Sequence, residues 1–436
     1  MATAWCIIRL VFQANLQTSV RRRVPVAAAV ILTAAVAACG SGAATPASPT
    51  SPVPTNSIEA LAKPTATPNI SIVPVPTSQM VAPSTPVARL DPQKAAAFQT
   101  ALDDVRSKGK YPGAAAAVVF PDGSIWTGES GQAILSPPTP LTAETLFSVA
   151  SISKTFVAAL VSRLVQTGTI SLDDSLSKYE PDFPNAANIT VRELLNHTSG
   201  IADLFDVNRT IGSALSAHPA ATWTAAQVLA KIGNPYFAPG TGYHYSNTNF
   251  ILLGLIIEKA TGLTVAALVR STFLEPLGLD HTYLQTEEGR QGSSAHGYIG
   301  KSAQPVDRSA GPMLPFTAEA TAVGFAGAYV STASDLARWA DALYSGKVLD
   351  QAGLASMVDV SPTVPYKPRL LYGYGLGFEE STVAGQLAWG HKGHLDGFWS
   401  AMEYFPAYHV TVVVLTNADW ADPIAASSNL VKIAIT

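Results

Sequence analysis

From Asp91 onward the order of apolar and polar positions predicts a mixed fold. Lys94 to Lys108 carries helical spacing. The apolar run Ala114 to Phe120 is followed, across the turn Pro121-Asp122-Gly123, by Ser124 to Trp126, the pattern of a β-hairpin. Helix signals dominate the middle of the chain. Thr190 and Glu193 form a capping box ahead of Leu194-Leu195, and Phe250, Leu253, Gly254 and Ile257 share one face of a helix that stops at Gly262. Thr332 with Asp335 repeats the capping signal before Leu336, Trp339, Ala340 and Leu343, with a stop at Gly346. Strand signals return at Gly373 to Phe378, Trp399 to Phe405 and Val410 to Thr416, and a final helix starts at Pro423. This order predicts an α/β fold of the α+β kind: one antiparallel sheet assembled from both ends of the chain, flanked by helices, with a helical lobe inserted in it. A cleft between sheet and lobe is the expected place for a site.

Ahead of Asp91 the pattern has a different character. Arg21-Arg22-Arg23 precede the apolar run Val24 to Val36 and then Ala37-Ala38-Cys39-Gly40, which reads as a lipoprotein signal peptide over residues 1–38. The run is shorter than the ~20 residues that span a bilayer. Cys39 is then the lipidated first residue of the mature protein, because a thiol is the nucleophile that takes a diacylglyceryl group. The folded part is expected outside the cytoplasm, anchored to a bacterial cell membrane. Residues 39–90 are mostly Pro, Ser, Thr and Ala, bury too little apolar surface to order themselves, and read as an extended tether. Residues 91–436 are the folded domain.

Charge and cysteine content narrow the function. Removing residues 1–38 deletes four arginines and no acid, so the formal charge moves from −4 to −8. An acidic chain without a basic cluster has no electrostatic footing on nucleic acid. The only other cysteine, Cys6, precedes the arginines, so the mature protein is expected to have neither disulfide nor thiol catalysis.

The candidate chemistry begins at Ser151-Ile152-Ser153-Lys154, which opens a helix with Ile152, Phe156, Leu160, Val161 and Leu164 at helical spacing, read as amphipathic. Residues three apart share a helix face, so Lys154 can sit beside the Ser151 hydroxyl. It can take that proton only if desolvation or neighbouring cations lower its pKa. A second Ser-x-x-Lys, Ser175 to Lys178, lies in a polar segment ending at Pro181 and reads as a surface turn.

Two further clusters accompany the first. Tyr243-His244-Tyr245-Ser246-Asn247 follows the turn Phe237-Ala238-Pro239-Gly240 and precedes a helix. Near cations the Tyr245 phenol can lose its proton below its usual ~10 and act as a base, or it can return a proton to a leaving group. Asn247 is placed to bind a substrate amide and touch the lysine. Gly390-His391-Lys392-Gly393-His394 precedes an apolar strand; Gly393 allows a close backbone approach, and His391 supplies a donor or partial positive charge. No His-Glu-x-x-His pattern and no clear third ligand accompany His391 and His394, so no metal is expected. The chain has no Gly-x-Ser-x-Gly elbow and no phosphate-binding glycine loop.

With these three motifs in order, and with Leu194 to Gly200 and Pro239-Gly240 as flanks, the chain resembles the serine β-lactamase and penicillin-binding family. In particular it resembles the branch that holds class C β-lactamases, D-Ala-D-Ala carboxypeptidases, D-aminopeptidases and related esterases. The resemblance covers nearly everything from Asp91 to Thr436 and implies a β-lactamase-like fold. It implies an acyl-enzyme on Ser151, activation by Lys154, proton relay by Tyr245, substrate orientation by Asn247, and an oxyanion hole from the backbone N–H groups of Ser151 and His394. His391-Lys392-Gly393 stands where class C β-lactamases have Lys-Thr-Gly, a departure toward the peptidase relatives. His197, Ser199 and Gly200 read as a structural turn. The expected function is therefore a serine hydrolase of amides or lactams. The alternatives are a carboxylesterase with the same machinery and a non-catalytic envelope lipoprotein that binds peptidoglycan. We expect a small-molecule or peptide substrate, no cofactor, a membrane contact through the lipid on Cys39, no nucleic acid partner, and a monomer.

Overall fold

The computed structural model describes residues 90–205, 209–300, 304–360 and 373–436. The expected signal peptide, Cys39 and the tether up to residue 89 lie outside the described residues.

Chain order is set first by α1 (Pro92–Gly109), capped by the Asp91 side chain, which accepts from the Gln93 N–H. The hairpin β1 (Gly113–Val119) and β2 (Ile125–Leu135) follows, with β3 (Pro138–Pro140) on its outer edge. Every residue of β1 is buried, because the strand is covered on both faces. Ala114, Ala116 and Val118 pack with Phe98 and Leu102 of α1, whereas Ala115, Ala117 and Val119 point into the main core. A continuous apolar run rather than an alternating one is what such a strand requires.

Next come β4 (Phe147–Ser148), the turn Ala150–Ile152 and α2 (Ser153–Gln166). The helical lobe holds α3 (Val191–Leu195) and α4 (Asn247–Thr261). The capping box predicted for Thr190 and Glu193 is present on α3, and Gly262 ends α4 in the left-handed region. A small sheet pairs β4 and β5 (Tyr283–Leu284) with β6 (Tyr329–Ser331), and α5 (Thr317–Val323) precedes β6. The chain then passes through α6 (Ala333–Tyr344) back to the main sheet. There it adds β7 (Gly373–Tyr374), β8 (Glu379–Val383), β9 (Gln386–Leu395), β10 (Phe398–Phe405) and β11 (Val410–Thr416), before α7 (Pro423–Ala434). Among the described residues the main sheet has eight strands in the order β3-β2-β1-β11-β10-β9-β8-β7. It is antiparallel, and β1 beside β11 joins the two ends of the domain as predicted.

Three local expectations change. The strand expected from Gly373 to Phe378 shortens to Gly373–Tyr374, because Gly377 takes a left-handed φ of 68° and turns the chain. The β8–β9 hairpin was not legible as such: its turn, Ala384-Gly385, has φ of 52° and 80°, the two-residue geometry more often signalled by Asn-Gly. And α2 is not amphipathic. It runs through the centre of the molecule, with Ser153 to Ser162 buried without interruption, so its polar residues Ser153, Lys154 and Thr155 face protein rather than water.

Gly254 on α4 has no space for a side chain, since a Cβ there would strike the Phe325 ring. Gly254→Val is expected to destabilise the domain by about 2 kcal/mol through overpacking; an unchanged thermal melting midpoint would count against this contact.

Candidate active site

The open end of β9 forms one wall of the site. β8 pairs only with Gln386 to Gly390, whereas β10 pairs with β9 as far as Leu395. His391 to Leu395 thus extend beyond β8, against the turn that carries Ser151. Contact is close at Gly393, where a Cβ would strike the Val149 carbonyl oxygen and approach the Ala150 Cβ to 3.1 Å. Gly393 is therefore required first by the nucleophile turn, and not only by a substrate backbone. The turn itself is held by Ser153, whose hydroxyl donates to the Ala150 carbonyl at 2.5 Å and accepts the Tyr329 N–H at 3.1 Å. Ala150 adopts φ of 49°, a conformation of order 1 kcal/mol above the usual regions, which swings Ser151 out of line with α2.

Lys154 lies one helical turn beyond Ser151 and is fully buried. Its Nζ sits 3.0 Å from Ser151 Oγ, 2.8 Å from Asn247 Oδ1 and 2.8 Å from the Ala326 carbonyl oxygen. Burial lowers its pKa to about 7, against the opposing pull of Asp203 and Glu379. In the neutral amine, two N–H groups donate to Asn247 and Ala326. The remaining lone pair then faces the Ser151 hydroxyl, the geometry a general base needs.

Asn247 is locked in turn by Asp203, whose Oδ2 accepts from its N–H at 2.8 Å and its Nδ2 at 2.9 Å. The asparagine oxygen is thereby aimed at the lysine. Asp203 had no motif to reveal it, and neither did the Ala326 carbonyl.

Tyr245 lines the same cavity as Ser151, and its ring centroid is 4.9 Å from Lys154 Nζ. Burial dominates its ionisation and raises its pKa well above 10, with the neighbouring Ser151 hydroxyl a smaller opposing influence. The expectation of a phenolate base is thus replaced by a neutral phenol able to pass a proton. His197, buried with a left-handed φ of 62°, accepts the Ser246 N–H and packs its ring 4.4 Å from that of Tyr245, consistent with a structural turn beneath the tyrosine loop.

His391 also changes role. Its Nδ1 is 2.6 Å from the Lys392 carbonyl oxygen, which fixes the proton on Nδ1, and its Nε2 accepts from the Tyr374 hydroxyl at 3.0 Å. Burial pushes its pKa down to about 4. The ring is a neutral wall of the site rather than a cation, because desolvation outweighs the attraction of nearby Glu379. The Lys392 ammonium is paired with Glu379 at 3.2 Å. His394 turns its side chain to Asp419 at 2.7 Å and stacks on Trp399, leaving its backbone on the open strand edge.

These groups converge on a cavity of about 390 Å³ lined by Ser151, Phe205, Tyr245, Asn247, Glu379, the stretch His391 to Leu395, and Trp399. The second Ser-x-x-Lys lies elsewhere as a surface turn, Lys178 pairing with Asp174 at 2.8 Å. Among the described residues no group of three or more His, Cys, Asp or Glu side chains is arranged to hold a metal.

Comparison with known proteins gives a consistent picture. The beta-lactamase family model matches residues 95–431. Penicillin-binding protein 4* of Bacillus subtilis is 28% identical over 334 residues, covering 74% of this chain and 71% of the relative. The crystal structure of a D-stereospecific amidohydrolase from Streptomyces sp. superposes with a TM-score of 0.66 at 30% identity, covering 78% of this chain and 97% of that one. D-amino acid amidase from Ochrobactrum anthropi, complexed with L-phenylalanine, superposes with a TM-score of 0.68 at 29% identity, covering 79% and 97%.

Lys154 accepts a proton only when neutral, so modification of Ser151 by a fluorophosphonate should accelerate as pH rises through about 7. Asp203 raises the lysine pKa, so Asp203→Asn is expected to move this limb to lower pH. A limb that stays in place in the variant, measured by labelling rate against pH, would contradict the assignment.

Proposed function

The chain belongs to the beta-lactamase family and is a serine hydrolase, and from that premise we propose that it cleaves open-chain amides of D-amino acids or D-peptides through an acyl-enzyme on Ser151. In acylation the Ser151 proton passes to the Lys154 amine as Oγ attacks the carbonyl carbon. The oxyanion is received by the backbone N–H groups of Ser151 and His394. Tyr245 relays the proton taken up by Lys154 to the departing nitrogen as the C–N bond breaks. Water then attacks the ester, and the proton it loses reaches Ser151 Oγ as the acyl C–O bond breaks, which restores the serine and the neutral amine. The observation that carries this reading is the Lys154 amine, held by two acceptors with its third direction on Ser151.

Preference for open-chain amides over lactams rests on two supports. The position of Lys-Thr-Gly is occupied by His391-Lys392-Gly393, a neutral imidazole followed by an ammonium already paired with Glu379. The similar solved structures include two hydrolases of D-amino-acid amides or D-stereospecific substrates. Purified protein is expected to hydrolyse a D-amino acid amide faster than nitrocefin or a p-nitrophenyl ester, and Ser151→Ala to lower kcat about 10⁴-fold or more. Faster ester turnover would favour the esterase reading. No turnover together with no fluorophosphonate labelling would leave a binding lipoprotein.

We further propose that a lipid on Cys39 anchors the mature chain to the outer face of the cell membrane. Support comes from the arginines at 21–23, the apolar run to Val36, the Ala-Ala-Cys-Gly junction and the Pro-rich tether behind it. Cys39→Ser is expected to abolish palmitate incorporation and to release the enzyme from membranes; retention of both label and membrane association would refute the anchor.

A further inference from the structure

The helical lobe holds a second cavity, of about 500 Å³, that shares no lining residue with the one at Ser151. Its size falls in the ~300–1,000 Å³ range of small-molecule sites. Phe183, Leu229 and Ile232 pack against the main core but stay partly exposed, and with Ile201 they give the cavity apolar walls. Water held against such walls is what an apolar ligand displaces with gain.

The charged part of the lining is of one sign. Glu180 and Asp182 come from one stretch of chain, and among the described residues no lysine, arginine or histidine lines the cavity. The nearby cations are engaged elsewhere: Lys178 pairs with Asp174 at 2.8 Å, and the Lys231 ammonium lies over the Trp223 ring, 5.8 Å from its centroid. Apolar walls beside two carboxylates, which can only accept hydrogen bonds, select an amphipathic cation.

The cavity wall continues into the support of the reaction centre. Ile201 and Ala202 lead directly into Asp203, which locks Asn247 and through it Lys154. Pro235, on another wall, leads into Tyr236, which clasps the same segment. The Tyr236 backbone N–H donates to the Gly200 carbonyl at 2.8 Å, and its hydroxyl accepts the Asp203 N–H at 3.2 Å. An occupant in contact with both segments holds this clasp closed.

We propose that this cavity is a second ligand site, taking a small organic ammonium ion with an apolar body, and that its occupant braces the segment ending at Asp203. The apolar body rests on Phe183, Ile201, Leu229 and Ile232, and the ammonium faces Glu180 and Asp182. Amino acid amides with apolar side chains are of this class. The site does not depend on the acyl-enzyme reading.

The test is titration calorimetry of the full chain with phenethylammonium, 2-phenylethanol and 3-phenylpropionate. The ammonium ion is expected to bind about fivefold more tightly than the alcohol at low salt, and the carboxylate more weakly than either. Glu180→Gln combined with Asp182→Asn should bring the ammonium down to the affinity of the alcohol. Ala230→Trp, at an exposed lining position, should fill the cavity and remove this binding event while the variant still melts cooperatively. In deuterium exchange of the wild type, phenethylammonium should slow the amides of residues 201–203 about threefold or more. Binding unchanged in Ala230→Trp, or no heat with any probe up to ~10 mM, overturns the site. Equal affinity for ammonium and alcohol overturns its ligand class, and unchanged exchange overturns the brace. Fluorophosphonate labelling of Ser151, followed separately, decides the acyl-enzyme reading whichever way these titrations fall.

Discussion

The site depends on one buried amine. Lys154 enters the core on a helix that has no solvent face, and the loss of hydration brings its basicity down to the neutral range. Burial alone would leave its hydrogens unsatisfied. Asn247 from the helical lobe and the Ala326 carbonyl from the segment before β6 meet that need, and in doing so orient the lone pair. A lysine on a wet helix face, at the same spacing from a serine, would stay protonated and could not act as a base. Lys178 is that case within the same chain.

The rest of the fold can be understood as support for that geometry. β1 and β11 close the sheet around small and β-branched residues, so that α1 and α7 pack on one face and α6 on the other, with Phe156 of α2 stacked on Trp339 of α6. β9 outruns β8, and its free edge is pressed against the nucleophile turn at Gly393. Asp203, His197 and Ser153 each fix a part of the site: Asn247, the Tyr245 loop and the Ser151 turn. The neutral state of Tyr245 and His391 follows from the same dryness that activates Lys154. Desolvation acts on all three in the direction that removes charge.

Much of this was legible in the chain as written. Apolar periodicity and capping residues located α1, α4, α6 and α7, and the uninterrupted apolar runs located β1 and β11, because those signals are local and need no partner. Ser151, Lys154, Tyr245 and the His391 stretch were recognisable by residue type, order and flanks. The β8–β9 hairpin was not, since Ala-Gly is a weak turn signal and its strands carry many polar residues. The burial of α2 was hidden because spacing cannot distinguish a helix with one dry face from one enclosed on every side.

By itself, then, the sequence determined which residue types could do chemistry and which elements would carry them. Only the tertiary structure decided their protonation. Whether Lys154 is a base, Tyr245 a phenol or His391 a neutral ring depends on how much water reaches each group and which charges face it. Those quantities arise from residues far apart in the chain, such as Asp203, Ala326, Tyr374 and Glu379, and no local pattern encodes them.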